Sequence, residues 1–143
     1  MATVARPAPR RKPRVAILPR ADRRETGAAA EDAALALLLE GGLQLLARNV
    51  NYPFGEIDLV MREGAQLVFV EVRYRRNTRF GGAAVSVDAA KRRKLARAAQ
   101  AWIGSHRQFA QASCRFDVVA ATPAPQGIAC EWIRNAFTLD DLW

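Results

Sequence analysis

Residues 55–74 read Gly55-Glu56-Ile57-Asp58-Leu59-Val60-Met61-Arg62-Glu63-Gly64-Ala65-Gln66-Leu67-Val68-Phe69-Val70-Glu71-Val72-Arg73-Tyr74. Two runs, Glu56–Arg62 and Gln66–Tyr74, are rich in β-branched and apolar residues, so both read as interior strands. Glu63-Gly64-Ala65 between them is a turn signal, and so short a connection makes the strands antiparallel neighbours. Each run carries an acid where a core excludes one, Asp58 in the first and Glu71 in the second. Desolvating a carboxylate costs several kcal/mol unless it is compensated. Acids in interior strands therefore point to a bound metal ion or a strong internal cation.

Strand side chains alternate between faces. Glu56, Asp58 and Val60 then share one face, with Ile57, Leu59 and Met61 opposite. Phe69, Glu71 and Arg73 share a face in the second run, opposite Val68, Val70 and Val72. In a hairpin Asp58 and Glu71 become cross-strand neighbours, about 5.5 Å apart at the backbone. Such a pair repels, and a hard divalent cation between the two turns repulsion into coordination. Arg73, about 7 Å further along that face, is placed to meet a phosphate.

Two further acids extend the set. Glu31, one turn into a predicted helix, is a candidate third carboxylate. Asp117, in Arg115-Phe116-Asp117-Val118-Val119, is another strand acid. Mg2+ or Mn2+ suits this inventory, since such ions take one or two carboxylates plus waters and substrate phosphates. Asp58 or Glu71 alone reads first as a half-exposed strand residue paired with Arg73 or Arg115; two strand acids with a following cation and a helix glutamate are less ordinary. Glu56 and Asp117, the accessory candidates, stand evenly between the two readings.

Outward from this centre, Leu43–Val50 is a third strand, closed by Asn51-Tyr52-Pro53-Phe54-Gly55. A helix runs from Thr26 to about Glu40 and ends at Gly41-Gly42. Asp88 to Ser105 is a second helix, with Leu95, Ala98, Ala99, Trp102 and Ile103 on its apolar face. Arg115–Ala121 and Ile128–Ile133 complete the strands. The order is helix, three-strand meander, helix, strand, strand, which predicts an α/β sandwich with a mixed sheet. Residues 1–24 hold four prolines and no periodicity, so they read as a disordered basic tail with a short strand at Val15–Leu18. Residues 25–143 form the domain.

The net charge is +8, and its distribution matters more than its sum. Residues 1–24 carry eight Lys/Arg against Asp22, and the remainder is close to neutral. Within that remainder Arg73, Arg75, Arg76, Arg79, Lys91, Arg92, Arg93, Lys94 and Arg97 crowd one segment whose single acid is Asp88. A basic tail plus a basic patch suits a polyanion, and the tail also reads as a solvated arm. No apolar run approaches the roughly 18 residues of a membrane span. Cys114 and Cys130 lack a CxxC spacing and read as reduced thiols of a cytoplasmic protein. His106, the only histidine, excludes a Ser-His-Asp alternative worth pursuing and reads as a helix-end cap.

Gly27-x-x-x-Glu31, Arg48-Asn49, Gly55-Glu56-Ile57-Asp58-Leu59, Val68-Phe69-Val70-Glu71-Val72-Arg73, Lys91, Arg115-Phe116-Asp117 and Asn135-Ala136-Phe137 together resemble the YraN family of small bacterial proteins, over about Gly27 to Phe137. That resemblance implies a restriction-endonuclease-like three-layer sandwich, similar to Holliday-junction resolvases. It also implies a PD-(D/E)XK site, with Asp58 as the first acid, Glu71-Val72-Arg73 as the paired motif and Glu31 as the helix glutamate. Glu31, Asp58 and Glu71 would then hold Mg2+ or Mn2+, with Arg73 at the lysine position. A guanidinium stays protonated at any working pH, so Arg73 binds phosphate but cannot act as a base. Lys91, reaching in from the second helix, is a candidate substitute.

Two functions compete. One is a metal-dependent endonuclease acting on DNA, on branched or nicked structures, gripped by Arg75, Arg76, Arg79, Lys91, Arg92 and Lys94. The other is a non-catalytic nucleic-acid-binding or adaptor domain with a vestigial site. A homodimer is an expectation by analogy with junction-cutting relatives. A protein partner could also dock on Phe137-Thr138-Leu139-Asp140-Asp141-Leu142-Trp143, or this segment could pack back onto the body.

Overall fold

The computed structural model describes residues 14–16, 23–76 and 87–137. The chain runs β1 (Arg14–Ala16), α1 (Arg23–Glu40), β2 (Gln44–Tyr52), β3 (Gly55–Glu63), β4 (Gln66–Tyr74), α2 (Ala89–Ser105), a short 3-10 turn at Arg107–Phe109, β5 (Cys114–Ala124) and β6 (Gly127–Phe137). The strands form one sheet in the order β1-β6-β5-β4-β3-β2. Only β4 and β5 run parallel. Their connection carries α2, because parallel neighbours need a crossover. The remaining pairs are antiparallel, so the predicted mixed sheet and meander are present.

The helices cover opposite faces, giving three layers. Under α1, Ala30, Ala34 and Leu38 pack on Leu59, Met61, Val68, Val70, Val119 and Ala121. Alanine at two successive turns lets the helix approach the sheet closely. Under α2, Leu95, Ala98, Ala99 and Trp102 pack on Val60, Leu67, Phe69, Phe116 and Val118. Burying each of these larger side chains contributes about 1.5–3 kcal/mol. Trp102 is a core anchor, edge-on to Phe69 and stacked on His106. His106 caps the end of α2, its ring Nδ1 2.7 Å from the Trp102 carbonyl oxygen.

Local chemistry fixes the helix ends. Gly42 stands at φ +97, and the Gly42 and Leu43 N–H groups donate back to Leu39 and Leu38, a Schellman closure that favours glycine. Asp88 caps α2 by accepting from the Lys91 N–H at 2.8 Å. The first helix begins at Arg23 rather than Thr26, and the expected strand at Val15–Leu18 lies at Arg14–Ala16, paired with β6. The rest of the basic tail, Arg79 and residues 138–143 lie outside the described residues. Phe137 is buried and stacks on Phe116 at 4.9 Å, so the start of the C-terminal segment packs onto the body.

One sequence expectation fails at a decisive place. Leu59 and Met61 pack under α1 as alternation requires, but Ile57 joins the α2 cluster with Val60. Strand alternation is therefore broken at Asp58. The pairing of β3 with β4 also stops at Leu59 and Val70. The two strands part where the two acids stand.

Candidate functional site

The register brings the acids together. One step past Leu59 and Val70, Asp58 faces Glu71, as the hairpin predicted. The Asp58 Oδ2 accepts the Val72 N–H at 2.8 Å, replacing the ladder carbonyl lost where the strands separate. Glu71 is 4% exposed. Lys91 crosses from α2 to place its Nζ 2.5 Å from Glu71 Oε1. A buried carboxylate thus has one carboxyl neighbour and one ammonium.

The electrostatics follow from that packing. Burial, then the Glu71 charge, pushes the Asp58 carboxyl up to about 7, against the Val72 hydrogen bond, which favours the ionised form. Glu31 adds to the same push, which couples it to the pair. The Glu31 carboxyl is itself raised, chiefly by burial, although Arg48 and Asn49 favour its charge. Arg48 Nη2 lies 3.7 Å from Glu31 Oε1 and 2.8 Å from Asp32 Oδ1. The Asn49 amide, oriented to satisfy both of its ends, donates to Glu31 Oε1 at 3.0 Å and to Oε2 at 3.2 Å.

Among the described residues no three His, Cys, Asp or Glu side chains form a ready cage for a metal ion. The close donors are two, Asp58 and Glu71, with Glu31 as an outer carboxylate. Two carboxylates whose repulsion raises one pKa are a donor set that a small hard cation relieves, and Mg2+ characteristically takes no more from a protein. The residues present therefore fit Mg2+ or Mn2+. Arg73 stands half-buried on β4 two residues beyond Glu71.

Asp117 is not brought to this pair. It is fully buried, and its neighbours Phe116 and Val118 face α2, which turns Asp117 toward the opposite layer. There it accepts from Arg115 at 3.0 and 3.1 Å, Trp132 Nε1 at 2.9 Å and the Asn135 N–H at 2.8 Å. Arg115 also reaches Glu63 and Gln66, and Arg134 closes on Glu63. Four donors satisfy the Asp117 carboxylate, so its place is structural. Glu56 is exposed beside the β2–β3 turn, opposite Asn51. Burial pushes the Cys130 thiol to about 11, which keeps it protonated and inert.

The basic patch is divided. Lys91 is committed to Glu71. Arg92 donates to the Val87 carbonyl oxygen and lies over the Phe137 ring. Arg75, Arg76 and Lys94 are exposed. Arg97 stacks over Phe54, which itself stacks on Tyr52. Asn49 is the residue that sequence reasoning quoted without giving it a task. An asparagine beside an arginine in a strand is the one signal it left.

Residues 30–121 match the family described as "Uncharacterised protein family UPF0102". Curated relatives extend the match over most of the chain. A UPF0102 protein of Xanthomonas campestris pv. campestris (strain B100) is 57% identical over 121 residues, 85% of this chain and 98% of its own length. Relatives from Xylella fastidiosa (strain 9a5c) and Stutzerimonas stutzeri (strain A1501) are each 52% identical, covering 84% and 78% of this chain and 98% and 93% of their own lengths. With a family match across most of the body and relatives above half identity along nearly their full length, the chain belongs to the UPF0102 family, the YraN-like proteins to which its motifs point.

Proposed function

We propose that this protein is a metal-dependent endonuclease of the restriction-endonuclease-like class, acting on DNA with branched or nicked structure. The observation that carries the reading is the Asp58–Glu71 pair, parted strands around it and Lys91 drawn onto it. Asp58 and Glu71 hold the divalent ion, with Glu31 beside them. The bound ion supplies positive charge against which water ionises and phosphate charge develops. Arg73 takes the phosphate through its fork and remains protonated throughout. Lys91 supplies from α2 the lysine that β4 lacks: its Nζ, released from Glu71, orients the attacking water and holds the developing charge. Exposed Arg75, Arg76 and Lys94 grip the backbone.

Cleavage of a panel of duplex, nicked, flap and four-way-junction DNAs with Mn2+ tests this proposal. Product from the wild-type chain, lost in Asp58→Ala and Glu71→Ala, supports it. Activity surviving both substitutions removes this site from the chemistry.

The second reading is a non-catalytic nucleic-acid-binding module. Its support is the ion pair itself, because Lys91 already neutralises Glu71 without a metal. DNA binding that falls with salt and ignores divalent ions, with no cleavage anywhere in the panel, favours this reading.

A further inference from the structure

The Arg48-Asn49 dipeptide has no part in the reading above. Asn49 lies inside β2 yet has φ +50, a left-handed conformation that L-residues enter at a cost, asparagine less than most. Such a conformation persists where the surroundings over-determine it, and it concentrates at functional sites. Here the surroundings are on view. Arg48 pairs with Leu59 and Val50 with Ile57, which leaves Asn49 opposite Asp58, the position where alternation breaks. The Asn49 amide nitrogen donates to both oxygens of Glu31. Arg48, next to it, ties the adjacent Asp32 to β2 at 2.8 Å.

Three consequences converge on one role. An amide nitrogen within hydrogen-bond reach of both carboxylate oxygens, at 3.0 and 3.2 Å, holds that carboxylate's orientation and favours its charge. The donor stands in the same cross-sheet row as Asp58 and Glu71. The carboxylate it fixes is the one acid that α1 contributes to the surroundings of the pair. We infer that Asn49 is a positioning residue whose amide holds the Glu31 carboxylate beside the Asp58–Glu71 pair, as the outer carboxylate of a divalent-cation site. Arg48 anchors α1 to β2 beside it. This inference rests on the metal-dependent reading and deepens it, assigning to β2 the residue that holds the helix glutamate in place.

The test is a Mn2+ titration by calorimetry on the full chain, with melting curves recorded in EDTA. Asn49→Gly is the informative variant, because glycine accepts φ +50 and removes only the amide. It melts near the wild type and binds Mn2+ roughly 10- to 100-fold more weakly, the range for disturbing the outer shell of a metal site. Asn49→Ala loses affinity likewise on a less stable fold. Glu31→Gln weakens binding at least as much, and adding Asn49→Gly to it costs nothing more, since the amide then has no carboxylate to hold. Wild-type affinity in Asn49→Gly, or additive losses in the double variant, overturns the inference. If Asp58→Ala abolishes binding while Asn49→Gly leaves it intact, only the role of Asn49 falls. If the wild-type chain gives no Mn2+ heat, the metal-dependent reading and this inference fall together.

Discussion

Asp58 is half-buried beside the buried Glu71 carboxyl, and that arrangement costs stability whenever both are charged. Its carboxyl sits near 7 in the fold against 3.8 in the unfolded chain. Between those values the folded state binds the extra proton, so the stability contributed by this group falls as pH rises from about 4 to about 7 and is level above. The penalty at higher pH is on the order of 2–4 kcal/mol. Asp58→Asn keeps an oxygen for the Val72 N–H and removes the charge. Its melting temperature should exceed that of the wild type at pH 8 in EDTA, with the gain vanishing near pH 4. A lower melting temperature at pH 8 contradicts this electrostatic account. Mn2+ affinity should climb as pH rises toward about 7 and level off beyond, because the ion displaces the proton held at Asp58.

Lys91 makes the complementary case. Removing it leaves Glu71 buried and uncompensated, so Lys91→Ala should lose about 1–3 kcal/mol in EDTA by denaturant titration, Lys91 being half exposed. Saturating Mn2+ should return much of that loss, and cleavage should not return with it. The acids themselves were legible because carboxylates in apolar strands are chemically out of place. The ammonium was legible only as a candidate, since sequence does not say which turn of α2 faces β4. Asn49 was not legible, because its left-handed backbone appears only once β2, β3 and α1 are assembled.

At the scale of elements, the informative places are where ladders break. β3 leaves β4 after Leu59 and Val70, and Asp58 takes the Val72 N–H. β5 and β6 shift register between Phe116 and Val118, and Asp117 takes the Asn135 N–H, with Asn135 at φ +51. One chemical device serves twice: a strand acid accepts a backbone donor that the sheet cannot satisfy. At Asp117 the remaining capacity is filled by Arg115 and Trp132, whereas Asp58 is left facing Glu71. That difference separates a structural acid from a candidate site, and composition could not have made it. Alternation assigned Ile57 to the wrong layer for the same reason, because periodicity presumes an unbroken ladder.

The close approach of the β3 start to α2 belongs to this scale too. A Cβ on Gly55 would stand 2.6 Å from the Lys94 carbonyl oxygen, and that oxygen belongs to helix backbone. Gly55→Ala should therefore cost about 1–3 kcal/mol by denaturant titration and shift α2, and Lys91 with it. An alanine variant of wild-type stability would show that this contact is loose.

For the whole molecule, order and type of elements followed from periodicity and turn chemistry, since β2 to β4 are bounded by strong turn residues and α2 by its Asp88 cap. The family match agrees with the motifs that the strand acids anchor. Charge is the other property of the whole. A chain of net charge +8 with exposed Arg75, Arg76 and Lys94 should bind DNA with an affinity that falls steeply with salt. Lys94→Ala should lower the slope of log affinity against log salt by about one. An unchanged slope removes Lys94 from the interface.

The central claim is that Asp58 and Glu71 are the ligands of a divalent cation that Lys91 otherwise stands in for. A crystal of the wild-type protein soaked in Mn2+, with anomalous differences collected near the manganese edge, tests it most directly. The account predicts a single strong peak in contact with both carboxylates, Glu31 still held by Asn49 beside it, and the Lys91 ammonium moved off Glu71. Crystals that show no peak at the pair, with Lys91 still bound to Glu71, would contradict it.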